Sequence, residues 1–197
     1  MPAKLSLASI WILFISLILP NHAYGSAADW SIGGYGGRYY DTEPAGILEG
    51  HARFNKQSMV ALTVSKSIWQ AENLGLSLEI DGMLGHQFGI ATLQEIGLAP
   101  VMRWQHFPWQ ETLPTSLRFA PLGISYTTAI SPLELGSTGK GSRTLNLLFI
   151  ELGFSMPQLK SEEIFARLHH RCDIYDLLNK HGANGEDFLV IGLRHYF

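Results

Sequence analysis

Two side chains near the C-terminus have the types and spacing of a nucleophile and its general base. His170 and Cys172 are two positions apart in residues 167–172, RLHHRC. Residues two apart point to the same face of a β-strand, so the imidazole and the thiol become neighbours if this segment is extended. A histidine beside a thiol or hydroxyl is the arrangement that activates a side chain for covalent catalysis. The pair therefore indicates a candidate site for nucleophilic chemistry.

Such a pair needs a carboxylate to hold the imidazole in one tautomer and to stabilise its cation. Glu186 lies at the entry of the next strand, beside the end of the His170 strand, and is the expected partner. Strict alternation would turn Glu186 away from His170, but a bulge or irregular loop at the end of a hairpin can re-aim a side chain. Asp187 and Asp173 are the alternatives.

Eight segments alternate apolar and polar residues with the period of two that marks β-strands. They cover residues 30–40, 58–69, 75–87, 92–105, 116–127, 143–156, 162–172 and 187–197. At about 10–13 residues, these segments are longer than the usual soluble strand of about five or six residues. Their length is near that of a tilted membrane strand. Residues 46–54 either extend the first strand or form a short extra one.

Few charges, many glycines and frequent aromatic residues fit either a secreted β-sandwich or a transmembrane β-barrel. Three features favour the barrel: the strand length, the aromatic residues near strand ends, and an apolar alternation that ends at Phe197. The sequence therefore predicts an all-β protein, an eight-stranded antiparallel transmembrane β-barrel. With an even strand number both termini are periplasmic, which puts His170 and Cys172 at the outer-leaflet end and facing lipid.

Residues 1–25 have the features of a cleavable signal peptide, with Lys4 followed by an apolar run and small residues near position 25. The barrel domain is then expected over residues 26–197. The net charge of −3 and the lack of a basic cluster argue against nucleic acid as a partner. With one cysteine, the chain forms no internal disulfide.

The segment RLHHRC, a loop rich in Gly and Asn, Glu186 and a last strand ending in Phe together resemble the lipid A 3-O-deacylases of Gram-negative outer membranes. The resemblance implies an eight-stranded barrel that hydrolyses the ester-linked acyl chain at the 3 position of lipid A. It also implies a nucleophile–His–Glu triad without metal or other cofactor. His170 would be the base, Glu186 its orienter, and Cys172 would occupy the position of the serine. Asn179 or Asn184 would supply an oxyanion donor.

The resemblance also implies an outer-membrane location and lipid A or lipopolysaccharide of the outer leaflet as the partner. Cys172 departs from the family, and so does Asp173, which replaces an Asn. The alternative is therefore a non-enzymatic barrel with a structural, adhesive or ligand-binding role. A metal site built from His169, His170, His181 and His195 is disfavoured because these residues fall on both strand faces. A homodimer remains open at this stage.

Overall fold

Eight antiparallel strands form a closed barrel in the computed structural model, in which each strand pairs with its sequence neighbours and the last pairs with the first. The structure describes residues 29–41, 50, 53–135, 139–174, 177–178 and 185–197. The strands are β1 (Trp30–Tyr40), β2 (Phe54–Ala71), β3 (Leu76–Phe88), β4 (Leu93–Trp104), β5 (Thr115–Thr127), β6 (Thr144–Met156), β7 (Leu159–Cys172) and β8 (Glu186–Tyr196). The predicted all-β barrel of eight strands is confirmed.

The predicted strands match the observed ones closely, with the main difference in β2. This strand begins at Phe54, four residues before the predicted start, so Phe54 belongs to β2 and not to an extension of the first strand. Residues 46–49 and 51–52 lie outside the described part of the chain, as does the predicted signal peptide over residues 1–25. No helix among the described residues has the length and apolar character needed to cross a membrane.

The two faces of the barrel wall differ in polarity in the sense opposite to that of a soluble protein. Large apolar side chains such as Leu62, Ile96 and Ile150 are exposed on the outer surface, and their strand neighbours with polar side chains are buried inside. This outward apolar, inward polar pattern is the one that transmembrane barrels show. It explains why the strand segments alternate so regularly in the sequence.

A network of ion pairs and aromatic rings fills the interior. Arg118 contacts Glu79 at 2.8 Å, Asp81 at 2.9 Å and Glu151 at 3.2 Å. Glu151 also accepts a hydrogen bond from Arg167, whose guanidinium lies 3.8 Å from the centroid of the Phe149 ring. Buried charges of this kind are tolerated when they are paired and hydrogen-bonded. The interior is therefore a packed core in its middle section.

The pairing register places the candidate residues at one end of the barrel. At the other end of the barrel, Trp30 at the start of β1 and Phe197 after the end of β8 exchange backbone hydrogen bonds. β7 runs away from that end and finishes at Cys172. Cys172 pairs with Asn146 of β6, and His170 pairs with Leu148 of β6 and with Asp187 of β8.

Candidate functional site

His170 and Cys172 lie on the outer face at the end of β7. The residues between and before them, His169 and Arg171, are fully buried in the interior, whereas His170 and Cys172 are both partly exposed. Because residues two apart on a strand share a face, the thiol of Cys172 and the imidazole of His170 are neighbours on this face of β7. The parity inferred from the sequence therefore holds, and an imidazole and a thiol lie side by side on the outer wall.

Asp187 completes the constellation. Its Oδ1 lies 2.6 Å from Nδ1 of His170, within hydrogen-bonding distance. The two residues are direct partners in the β7–β8 ladder, and partners in adjacent strands present their side chains on the same face. Because Nδ1 is engaged by the carboxylate, Nε2 is the ring nitrogen left to exchange a proton with a nucleophile.

Glu186 does not contact His170, so the expected Glu186–His170 pair must be corrected. Glu186 is paired with Arg171, is fully buried, and points into the interior, where Oε2 lies 3.8 Å from Nη1 of Arg171. The expectation required a bulge at the end of the hairpin, whereas β7 and β8 pair regularly up to this point. Asp187, one of the two alternatives, takes the place next to the imidazole.

Gly185 packs closely against the imidazole of His170. A Cβ atom added to Gly185 would lie 2.7 Å from Cε1 of His170 and 3.0 Å from the carbonyl oxygen of Arg171. Such distances are too short for a side chain, so the backbone itself packs against the ring. This close approach restricts the ring on the side of the β7–β8 connection.

A layer of buried acidic residues lies inside the barrel behind the site. Arg171 binds Glu134, which lies in the 3-10 helix Pro132–Glu134 between β5 and β6. Arg171 also lies near the carboxylates of Glu95, at 3.4 Å, and Glu186. The arginine between His170 and Cys172 thus ties the β5–β6 connection to the strand that carries the site.

The position of Glu134 among other carboxylates changes its proton affinity. Burial raises the pKa of Glu134 to about 8. The carboxylates of Glu186 and Glu95 act in the same direction, and the two effects together outweigh the opposing charge of Arg171. A buried carboxyl group that cannot reach water favours its neutral form.

Asn146 is a residue at the site that the sequence analysis missed. It is the β6 partner of Cys172 and is only 1% exposed. The signal was present in the sequence, since Asn146 is a polar residue in line with the outward-facing Leu148 and Ile150. Asn179 and Asn184, the expected oxyanion donors, lie outside the described residues.

The described residues contain no group of three or more His, Cys, Asp or Glu side chains arranged to hold a metal ion. Of the histidines that were considered as ligands, His169 faces the interior and lies 3.3 Å from both Tyr35 and Glu95. His195 is near the opposite end of the barrel, paired with Glu162. His169, His170 and His195 therefore lie in three separate environments, and His181 lies outside the described residues.

Comparison with known proteins places the chain by its fold. No protein-family model matches it, and no curated protein sequence does. Among solved structures, the outer membrane enzyme PagL matches with a TM-score of 0.59 and 14% identity, over 85% of this chain and 99% of that one. Neisserial surface protein A matches with a TM-score of 0.50 and 12% identity, over 88% of this chain and 100% of that one. At these identities the likeness shows a barrel fold of the outer-membrane type.

Proposed function

We propose that this protein is an outer-membrane esterase that hydrolyses the 3-O-linked acyl chain of lipid A. Cys172 is the nucleophile, His170 is the general base and acid, and Asp187 orients His170. The observation that carries the proposal is the 2.6 Å contact between His170 and Asp187, with the Cys172 thiol on the same outward face. The resemblance of residues 167–172 to the lipid A 3-O-deacylases gives the substrate class.

The position of the site on the wall limits the substrates that can reach it. His170 and Cys172 face outward at the end of β7. Earlier in the same strand, the outer face carries apolar residues such as Ile164. An ester presented to this face must itself reside in the membrane, with its acyl chain along the wall. Lipid A in the outer leaflet meets both conditions. The fold likeness to an outer membrane enzyme supports the same location.

The reaction has two steps that use the same groups. In the first, Nε2 of His170 takes the thiol proton, the sulfur of Cys172 attacks the ester carbonyl, and the sugar oxygen leaves with the proton that His170 returns. The product is an acyl thioester on Cys172. In the second step His170 takes a proton from water, the hydroxyl attacks the thioester, and the fatty acid leaves as the proton returns to sulfur. Asp187 stabilises the imidazolium in both steps.

The test is the acylation state of lipid A in cells that express the protein. Mass spectrometry should show loss of one acyl chain with the wild-type protein and no loss with His170→Ala or Cys172→Ala. Both variants must be recovered as folded barrels in the outer membrane, which altered gel migration without heating reports. A free fatty acid released in step with the lipid A change would identify hydrolysis and exclude transfer to another lipid.

Unchanged lipid A in cells that contain folded wild-type protein would reject the esterase. The second candidate, a non-enzymatic barrel with a structural, adhesive or ligand-binding role, would then stand. The feature that favours this candidate is the thiol of Cys172, at the position where the lipid A 3-O-deacylases that this segment resembles have a serine hydroxyl. A sulfur atom is larger than oxygen, and a site shaped for a hydroxyl loses rate when the reacting atom is displaced.

A further inference from the structure

Asn146 is buried at a place where the barrel wall should expose its side chain. It lies on the outward face of β6, in the same column as Ile150, which is 45% exposed, yet Asn146 is only 1% exposed. A polar side chain on the outer wall is costly unless its hydrogen-bonding groups find partners. The chain that leaves β7 supplies one of them and covers the residue.

The contacts of Asn146 join three parts of the backbone. Its Oδ1 accepts a hydrogen bond from the backbone N–H of Ile174 at 3.2 Å. Its Nδ2 lies 3.4 Å from the carbonyl oxygen of Gly123, beside the irregular pairing of β5 and β6. Asn146 thus fastens the residues that follow Cys172 to the neighbouring strand.

Cys172 depends on this attachment because its own strand is ending. The pairing of β7 with β8 stops at Arg171 and Glu186, whereas the pairing with β6 continues for one more residue, between Cys172 and Asn146. Cys172 therefore has a ladder partner on one side only. Two residues further on, the backbone N–H of Ile174 donates a hydrogen bond to Asn146.

We propose that Asn146 is a positioning residue that holds the chain beyond Cys172 so that the thiol stays directed at His170. This inference rests on the proposed function, in which the pair performs the chemistry. The acceptor oxygen is the essential group, because it receives the Ile174 N–H. A displacement of about 1 Å at a reacting atom can cost about a hundredfold in rate. Loss of the acceptor should therefore displace the sulfur of Cys172 and lower its reaction rate.

The experiment measures how strongly the reactivity of the thiol depends on His170. Cys172 is the single cysteine of the chain, so iodoacetamide reports on it alone. We compare alkylation rates with and without His170→Ala in the wild-type, Asn146→Leu and Asn146→Asp backgrounds, using barrels refolded in detergent. Asn146→Asp keeps an acceptor oxygen. Asn55→Leu makes the same change at the start of β2, where the side chain accepts a hydrogen bond from the backbone N–H of its neighbour Lys56.

His170→Ala should slow alkylation about tenfold in the wild type and in the Asn55→Leu control, because the imidazole promotes the thiolate. In the Asn146→Leu background the same change should slow it less than twofold, and Asn146→Asp should restore the dependence. Asn146→Leu should also lower kcat for release of the acyl chain at least tenfold, with KM changed less. If Asn146→Leu merely destabilised the barrel, the molecules that remain folded would still be alkylated more slowly after His170→Ala, as in the wild type.

Equal dependence on His170 in the wild type and in Asn146→Leu would overturn the inference, as would a wild type whose alkylation ignores His170. The alkylation measurement contains no lipid A, so it separates the two ideas. If the wild type leaves lipid A intact but shows the coupling between positions 146 and 170, the esterase fails and the positioning role stands. If lipid A is cleaved without that coupling, the positioning role fails alone.

Discussion

Nδ1 of His170 lies 2.6 Å from Oδ1 of Asp187 across the β7–β8 ladder, on the outer face of the barrel. The contact needs no bulge and no loop residue, because the two positions are direct partners in adjacent strands. It engages one ring nitrogen and leaves Nε2 for the thiol of Cys172. The carboxylate beside the imidazole is therefore that of Asp187 and not that of the neighbouring Glu186, which is turned into the interior.

Replacing Asp187 should damage catalysis far more than replacing Glu186. Asp187→Asn removes the charge that stabilises the imidazolium and offers an amide that favours the wrong tautomer, a change that lowers kcat about 10⁴-fold in the serine-protease triad. Glu186→Gln leaves the outer face unchanged and should alter kcat less than about threefold by comparison. The measurement is the initial rate of acyl-chain release from lipid A in detergent micelles. The reverse order of effects would show that Glu186 reaches the site in the working enzyme.

The strand pattern explains which parts of this site could be predicted. The alternation of polar and apolar residues was enough to predict that His170 and Cys172 share the outer face. It also indicated that Glu186 faces inward, and the expected exception at the hairpin end did not occur because the ladder is regular as far as Arg171 and Glu186.

Other contacts depend on information that no single strand carries. Asn146 bonds Ile174 because of the path that the chain takes after the end of β7, and this path has no periodic signature. In the interior, Arg118 meets Asp81, which is 37 residues away in the sequence, because β3 and β5 flank β4 and both side chains point inward. Alternation predicts that both residues point inward, but the closed radius and stagger of the barrel decide which charges meet.

Cys172→Ser should give an active enzyme, in contrast to Cys172→Ala. A serine hydroxyl can be activated by the same His170–Asp187 pair. We expect the rate of acyl release to stay within about tenfold of the wild type, in either direction, compared with loss to background in Cys172→Ala. Iodoacetamide should inactivate the wild type and leave Cys172→Ser unaffected. A Cys172→Ser variant as inactive as Cys172→Ala would mean that the chemistry requires a thiol.

Gly185→Ala should disturb the imidazole without disturbing the barrel. The new methyl group would lie 2.7 Å from Cε1 of His170, so either the ring or the backbone has to move. Because misplacement of about 1 Å can cost about a hundredfold, kcat should fall by between about tenfold and a hundredfold. Gly82→Ala is the matched control, since its new Cβ would meet no atom closer than 3.8 Å. Equal activity of the two variants would contradict close packing of Gly185 against the His170 ring.

Glu134 should make the stability of the barrel depend on pH. Its pKa is raised to about 8 in the folded protein, against about 4.3 in an unfolded chain. Between these values the folded state binds more protons than the unfolded state. The stabilising contribution is therefore complete below about pH 4.3 and is lost as the pH rises towards 8, at no more than about 1.4 kcal/mol per pH unit.

Glu134→Gln removes the titrating group and keeps a neutral side chain next to Arg171. The free energy of unfolding in urea, measured in detergent micelles between pH 6 and 8.5, should fall with pH in the wild type and stay flatter in the variant. Glu111→Gln alters an exposed carboxyl in the β4–β5 connection at the opposite end and should follow the wild type. A constant difference between wild type and Glu134→Gln across this range would show that Glu134 is already ionised at pH 6. In that case its pairing with Arg171 outweighs its burial, and the β5–β6 connection is held to β7 by a full ion pair.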